Sequence, residues 1–146
     1  MRVLVLNGPN LHALGSREPE IYGRDTLTDI ESSLEELARE LGFDLEFLQS
    51  DHEGVLIDAL YGARGRCHGV LINPGGLTHT SVALRDAVRG AGLPTIEVHV
   101  SNPMTREGFR HRSLVSGVAL GVIQGFGADS YRLALRGLAG QLIHAG

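Results

Sequence analysis

Short apolar runs alternate with helical patterns along the chain. Val3-Leu4-Val5-Leu6 is a continuous apolar run, the pattern of a strand buried on both faces. Residues 26 to 41 then take a helical period, with Leu27, Ile30, Leu34, Leu37 and Leu41 recurring at spacings of three and four. Thr28, with Glu31 three positions on, predicts a capping box at the start of that helix, and Gly42 a stop. Phe43, Leu45 and Phe47 alternate with polar residues as a second strand, and a weaker helix is expected over 53 to 64. Val70-Leu71-Ile72 predicts a third strand, and residues 80 to 91 a helix. The fourth strand is expected from Thr95 to Val100, after Pro94, and the fifth within Val118 to Ile123. Tyr131, Leu135, Leu138 and Leu142 make one stripe of a last helix over 129 to 143.

Strand–helix alternation repeated five times implies a parallel sheet with helices on both faces. Right-handed crossovers make this a doubly wound α/β fold, with flavodoxin-like order the economical one for a five-stranded parallel sheet. At 146 residues the chain is expected to be one catalytic domain, 1–146, without repeat or linker. No apolar run approaches the roughly 18 residues of a membrane helix. The run after Met1 is too short for a signal segment, so a cytoplasmic protein is expected. The single cysteine, Cys67, excludes intramolecular disulfides and Cys-rich zinc sites. Cys67 precedes a strand and is read as a packing residue.

Charge narrows the chemistry further. The formal net charge is -4, which disfavours nucleic acid as a partner. All 13 basic residues are arginine. Without lysine there is no Schiff base, no pyridoxal-phosphate anchor and no Walker-type phosphate lysine. No G-x-G-x-x-G follows the first strand, which disfavours a dinucleotide. No Glu-x-x-His or His-Glu-x-x-His spacing supports a metal. The expected partner is a small, oxygen-rich anion, handled without cofactor by Tyr, His, Asn and Arg.

In open α/β sheets ligands bind beyond the carboxyl ends of the strands. Here those ends carry Asn7-Gly8-Pro9-Asn10, Gln49-Ser50-Asp51-His52, Asn73-Pro74-Gly75-Gly76-Leu77-Thr78-His79-Thr80-Ser81, and Glu97-Val98-His99-Val100-Ser101-Asn102. One such loop could be only a good turn; four converging on one edge predict a binding site. Glu97 and His99 stand two apart on a strand and so face one way. A carboxylate there fixes the imidazole tautomer and raises its basicity; the alternative is a satisfied interior ion pair. His68, His111 and His144 lack such a neighbour and are read as surface residues.

The connection from Asn7 to Asp25 is long for this fold and has glycines at both ends, as lids often do. It carries Arg17 and Tyr22. A nearby guanidinium favours the phenolate and would make Tyr22 a usable base; the alternative is an exposed Arg and a packed Tyr. Arg106, Arg110 and Arg112, with Phe109 among them, could clamp an anion over the strand ends or form a solvated face.

Taken in register, Asn7-Gly8-Pro9-Asn10-Leu11, Arg17-Glu18-Pro19 with Tyr22-Gly23, the Gly75 to Ser81 segment and the Glu97 to Asn102 segment resemble type II 3-dehydroquinate dehydratase. The resemblance continues through Gly121-Val122-Ile123 and Gly125-Phe126-Gly127. It implies elimination of water from 3-dehydroquinate to give 3-dehydroshikimate, in the shikimate pathway or in quinate breakdown, with no cofactor and no metal. It implies Tyr22 as the base, Arg17 as its charge partner on a mobile lid, and Asn10 as a stabiliser of the enolate. His99 would be the acid, oriented by Glu97. Backbone N–H groups at Val100 and Ser101, with the Ser101 hydroxyl, would hold the substrate carboxylate. Asn73, His79 and Arg110 would hold ring hydroxyls. Asp86 would reach into a neighbouring subunit's site, Arg106 would close over it, and the homo-oligomer would be a dodecamer built from trimers. His12 and Gly108 depart from the family pattern, both beside mobile segments.

Two other classes share this fold. A non-catalytic anion-binding module would keep the strand-end amides but would not need Tyr22 beside Arg17 or His99 beside Glu97. A flavin or nucleotide electron carrier would copurify with a coloured or ultraviolet-absorbing group.

Overall fold

The computed structural model describes residues 1–145. Five strands form one all-parallel sheet: β1 (Arg2–Asn7), β2 (Asp44–Gln49), β3 (Gly69–Asn73), β4 (Thr95–His99) and β5 (Gly121–Gln124), in the order β2-β1-β3-β4-β5. This is the flavodoxin-like order, in which the direction of winding reverses between β1 and β3. The helices are α1 (Pro19–Tyr22), α2 (Leu27–Leu41), α3 (Glu53–Gly62), α4 (Val82–Ala91) and α5 (Asp129–Ala145).

Strand alternation divides the core between the two faces of the sheet. Val3, Val5, Leu71, Ile96 and Val98 pack against Leu34 and Leu37 of α2 and Leu135 and Leu138 of α5. Leu4, Leu6, Val70 and Ile72 pack against Leu56 and Leu60 of α3 and Leu84 and Val88 of α4, and buried Cys67 joins them. The central strands β1 and β3 therefore read as near-continuous apolar runs, β4 alternates Ile96 and Val98 with the buried polar residues Thr95, Glu97 and His99, and edge strand β2 sets Leu45 and Phe47 on the first face and Leu48 on the second.

Two sequence expectations need correction. The capping box of α2 lies at Thr26 and Asp29, not Thr28 and Glu31: Asp29 N–H donates to Thr26 Oγ1 at 3.1 Å, and Thr26 N–H to Asp29 Oδ2 at 2.9 Å. Both pairs are a Thr three positions before an acid, and the helix starts at the earlier one, with Leu27 its first residue. The fifth strand begins at Gly121, because Ser116–Val118 is a 3-10 turn. The long loop after β1 also has internal structure: a 3-10 turn at Leu11–Ala13 and the single-turn α1, which ends on Tyr22.

Candidate active site

The loops beyond β1 and β3 interlock before any side chain is considered. Gly8 N–H donates to Asn73 O at 2.8 Å. A Cβ on Gly8 would lie 2.5 Å from Pro74 O, so no larger residue fits. Gly75, at φ +60, presses on Pro9 O in the same way. The loop after β1 is thus pinned over the switch point, and Asn10 follows with a left-handed backbone at φ 71. Its N–H donates to Asp51 Oδ1 at 2.9 Å, and Asp51 Oδ2 lies 3.2 Å from His12 Nε2. That bond to Asn10 is the main cause holding the Asp51 carboxyl below the usual carboxylate range.

A cleft opens at this edge. It is lined by Asn10, Arg17, Tyr22, Asn73, His79, His99, Val100, Ser101, Arg106 and Arg110, with Pro9, Leu11, Gly75, Gly76 and Pro103 between them. Eleven of the twelve residues proposed from the sequence are Asn10, Arg17, Tyr22, Asn73, His79, Glu97, His99, Val100, Ser101, Arg106 and Arg110. Of these, only Glu97 lies behind the cleft wall, fully buried. The twelfth, Asp86, stands exposed on α4 and pairs with Arg85 at 2.8 Å, outside the cleft of its own chain.

The Glu97–His99 pair is built from β4. His99 Nε2 is 2.5 Å from Glu97 Oε2. Around the same carboxylate, Thr78 Oγ1 donates at 2.6 Å and Ser116 Oγ at 2.6 Å. Ser113 Oγ is placed to donate to either carboxylate oxygen, at 3.0 and 2.9 Å. Ser113 also accepts the N–H groups of Val115 and Ser116, which leaves its proton for Glu97. Burial pushes the Glu97 carboxyl up, but the His99 hydrogen bond and charge and the hydroxyls of Ser116 and Thr78 outweigh it and hold it at about 2. An ionised carboxylate only accepts, so Nε2 carries the hydrogen and Nδ1 is the ring nitrogen left free.

On the side of the loop after β1, Tyr22 is half-buried and packs on the core. Two guanidinium groups flank its ring: Arg106 Cζ at 4.9 Å and Arg17 Cζ at 5.4 Å from the centroid. Arg17 also lies 3.8 Å from Glu18. Arg106 donates to Ser101 Oγ at 3.2 Å, which ties the Tyr22 side of the cleft to the chain just after β4. Arg110 is held through Nε by Glu107 at 2.7 Å, so its two terminal nitrogens stay available. The same bond is the main cause lowering the Glu107 carboxyl. His79 Nδ1 donates to Arg112 O at 2.8 Å, which makes Nε2 the acceptor of the neutral ring.

Sequence reasoning gave no role to Ser113, Ser116 or Asp51, and it took Tyr131 only as a core residue. Thr78 was visible inside a strand-end motif without a function attached. Ser113 and Ser116 lie in aperiodic chain after β4 and carry no local signal. Of the histidines taken as surface residues, all three are exposed, but His68 Nδ1 accepts from Arg2 N–H and His111 Nε2 donates to Arg106 O. Among the described residues, no group of three or more His, Cys, Asp or Glu side chains is placed to hold a metal ion, and no helix is long and apolar enough to cross a membrane.

A doubly wound sheet thus carries an imidazole–carboxylate pair and an arginine-flanked phenol at its switch-point edge. The comparisons with known proteins give the family. The sequence model of the family described as Dehydroquinase class II matches residues 1–139. The 3-dehydroquinate dehydratase of Gloeobacter violaceus is 63% identical over 139 residues, covering 95% of this chain and 87% of that protein. That of Jannaschia sp. is 54% identical over 142 residues, covering 97% and 96%. Among solved structures, the type II dehydroquinase of Butyrivibrio crossotus superposes with a TM-score of 0.92 at 41% identity, covering 94% of this chain and 97% of that one. The type II dehydroquinase from Propionibacterium acnes gives 0.91 at 46% identity, covering 95% and 96%. The chain belongs to the class II dehydroquinases, the type II 3-dehydroquinate dehydratases, which are hydro-lyases.

Proposed function

We propose that this chain converts 3-dehydroquinate to 3-dehydroshikimate by anti elimination through an enolate, in the shikimate pathway or in quinate breakdown. The observation that carries the mechanism is the pairing, across one cleft, of His99 tied to Glu97 with Tyr22 flanked by Arg17 and Arg106. In the first step the Tyr22 phenolate takes the proton alpha to the ketone, and the electron pair moves onto the carbonyl oxygen. The two guanidinium groups flank the Tyr22 ring, and their positive charge complements the negative charge of the phenolate. Asn10, held by Asp51, stabilises the enolate oxygen, directly or through one water.

In the second step the enolate collapses, and the C1 hydroxyl leaves with a proton from His99 as water. The proton comes from Nδ1 of the imidazolium, while Nε2–H stays on Glu97. A buried carboxylate supplied with four side-chain donors stabilises the imidazolium and keeps its ring oriented. The N–H groups at Val100 and Ser101, with the Ser101 hydroxyl, bind the substrate carboxylate. Asn73, His79 and Arg110 bind the ring hydroxyls, Asn73 and Arg110 by donating and His79 by accepting. Asp86 completes a neighbouring subunit's site in a dodecamer of trimers; its exposed position on α4, away from its own cleft, leaves it free for that role.

The direct test is the ultraviolet absorbance of the conjugated enone formed from 3-dehydroquinate. The reading expects steady enone formation that neither chelators nor borohydride suppress. A folded protein that forms none would return the site to a binding role.

A further inference from the structure

We infer that Tyr131 is a positioning residue for Asn73: its hydroxyl fixes the Asn73 amide so that Asn73 faces the cleft as a hydrogen-bond donor. The inference deepens the reading of Asn73 as a substrate contact and rests on it.

Tyr131 belongs to α5 and is almost fully buried, in the layer that covers the sheet. Its hydroxyl reaches the two strands between which the winding reverses. Asn7 ends β1, Asn73 ends β3, and the two are partners in register. Tyr131 Oη lies 2.6 Å from Asn7 Oδ1 and 2.9 Å from Asn73 Nδ2. The far side of the Asn73 amide meets Gly75 N–H at 3.1 Å.

The direction of this chain of bonds follows from its one fixed end. A backbone N–H can only donate, so the Asn73 atom facing Gly75 is the oxygen. The nitrogen then faces Tyr131 and donates to it. Tyr131, whose oxygen accepts there, gives its single proton to Asn7 Oδ1. Flipping Asn73 would set two donors against each other at Gly75. Both ends of the amide are therefore held, and one Nδ2 hydrogen remains for the cleft that Asn73 lines. Burial pushes the Tyr131 hydroxyl far above its ordinary value, so it stays a donor across the whole working range.

Without that hydroxyl, the ring still fills its place in the core, but the Asn73 nitrogen and the Asn7 oxygen lose their shared partner. Asn73 is then held by Gly75 alone and can rotate its remaining hydrogen away. The loss belongs to substrate binding more than to proton transfer, because the Tyr131 hydroxyl bonds to Asn7 and Asn73 and to neither Tyr22 nor His99.

The test is a double-mutant cycle with Tyr131→Phe and Asn73→Ala, read as KM and kcat on 3-dehydroquinate. Tyr131→Phe is expected to raise KM about fivefold, the scale of one hydrogen bond, with kcat falling by a smaller factor. In the Asn73→Ala background the same change is expected to leave KM where Asn73→Ala put it. If Tyr131→Phe folds poorly, Asn7→Ala removes the acceptor at the far end of the chain, and the same dependence on Asn73 is expected. A wild-type KM in folded Tyr131→Phe, or equal factors with and without Asn73, overturns the inference. A wild-type KM in Asn73→Ala also overturns it, by removing Asn73 as a contact, and so identifies the premise as the part that failed.

Discussion

His99 Nε2 lies 2.5 Å from Glu97 Oε2, and Glu97 is fully buried beneath it. Two residues of one strand thus place an imidazole at the cleft wall and its carboxylate partner behind the wall. The carboxylate also receives the hydroxyls of Thr78, Ser113 and Ser116. Those donors offset the cost of burying a charge and keep Glu97 ionised.

Stability at low pH follows from Glu97. Its folded carboxyl is held at about 2, against an ordinary 4.5. A lowered folded value gives stability that is full above 4.5 and is lost as pH falls toward 2, on the order of 3 kcal/mol. Glu97→Gln should be less stable than wild type at pH 7, since its amide nitrogen would face donors. It should also lack this share of the acid slope. Denaturant unfolding at pH 7, 5 and 3 measures both effects; equal slopes in the two proteins contradict the account.

His99→Ala removes the proposed proton donor while leaving Glu97 its three hydroxyl donors. Turnover should fall by about 10²-fold or more, the usual scale for a general acid, with a cooperative melt retained. Without the His99 hydrogen bond and charge, the Glu97 carboxyl should rise from its wild-type position. Wild-type turnover in this variant would make the pair a structural contact only.

The two guanidinium groups at Tyr22 should not be equivalent to any two positive charges. Arg17→Lys keeps charge but loses the planar fork and its fixed geometry. It should lose turnover, by about tenfold or more, and Arg17→Ala more. Arg106→Ala should do the same, because Arg106 is the nearer of the two to the ring. An Arg106→Ala enzyme with unchanged kcat would leave Arg17 as the only charge partner.

If Asp86 completes a neighbouring subunit's site, as proposed, activity depends on assembly. Dilution until subunits separate should abolish turnover, and Asp86→Ala should reproduce part of that loss in the intact assembly. A monomer with full activity at low concentration contradicts the shared site.

Much of this site was legible because its residues sit where periodicity and strand ends place them. Glu97 and His99 could be paired from a spacing of two on one strand. Asn10, Asn73, Val100 and Ser101 could be placed because parallel strands deliver their carboxyl ends to one edge. What local pattern could not show are contacts that close through distant, irregular chain. Ser113 and Ser116 reach Glu97 from 16 and 19 positions away, through turns with no period. Arg106 meets Tyr22 only because two loops fold over the same edge. Tyr131 looked like part of an apolar stripe, and its ring does fill the core; only the fold shows its hydroxyl between Asn7 and Asn73. The capping box moved from Thr28 to Thr26 because both positions satisfy the same short pattern; the helix begins at the earlier one, where its first residue, Leu27, packs against the core.

The central claim is that Tyr22 is the base. Its most direct test is single-turnover enone formation by Tyr22→Phe beside wild type, with binding of a non-reacting substrate analogue measured in parallel. Phe keeps the ring, its packing and its two guanidinium neighbours, and removes only the oxygen. The account predicts that enone formation falls by at least about 10²-fold while analogue binding stays within a few-fold of wild type. Enone formation at the wild-type rate in folded Tyr22→Phe contradicts it.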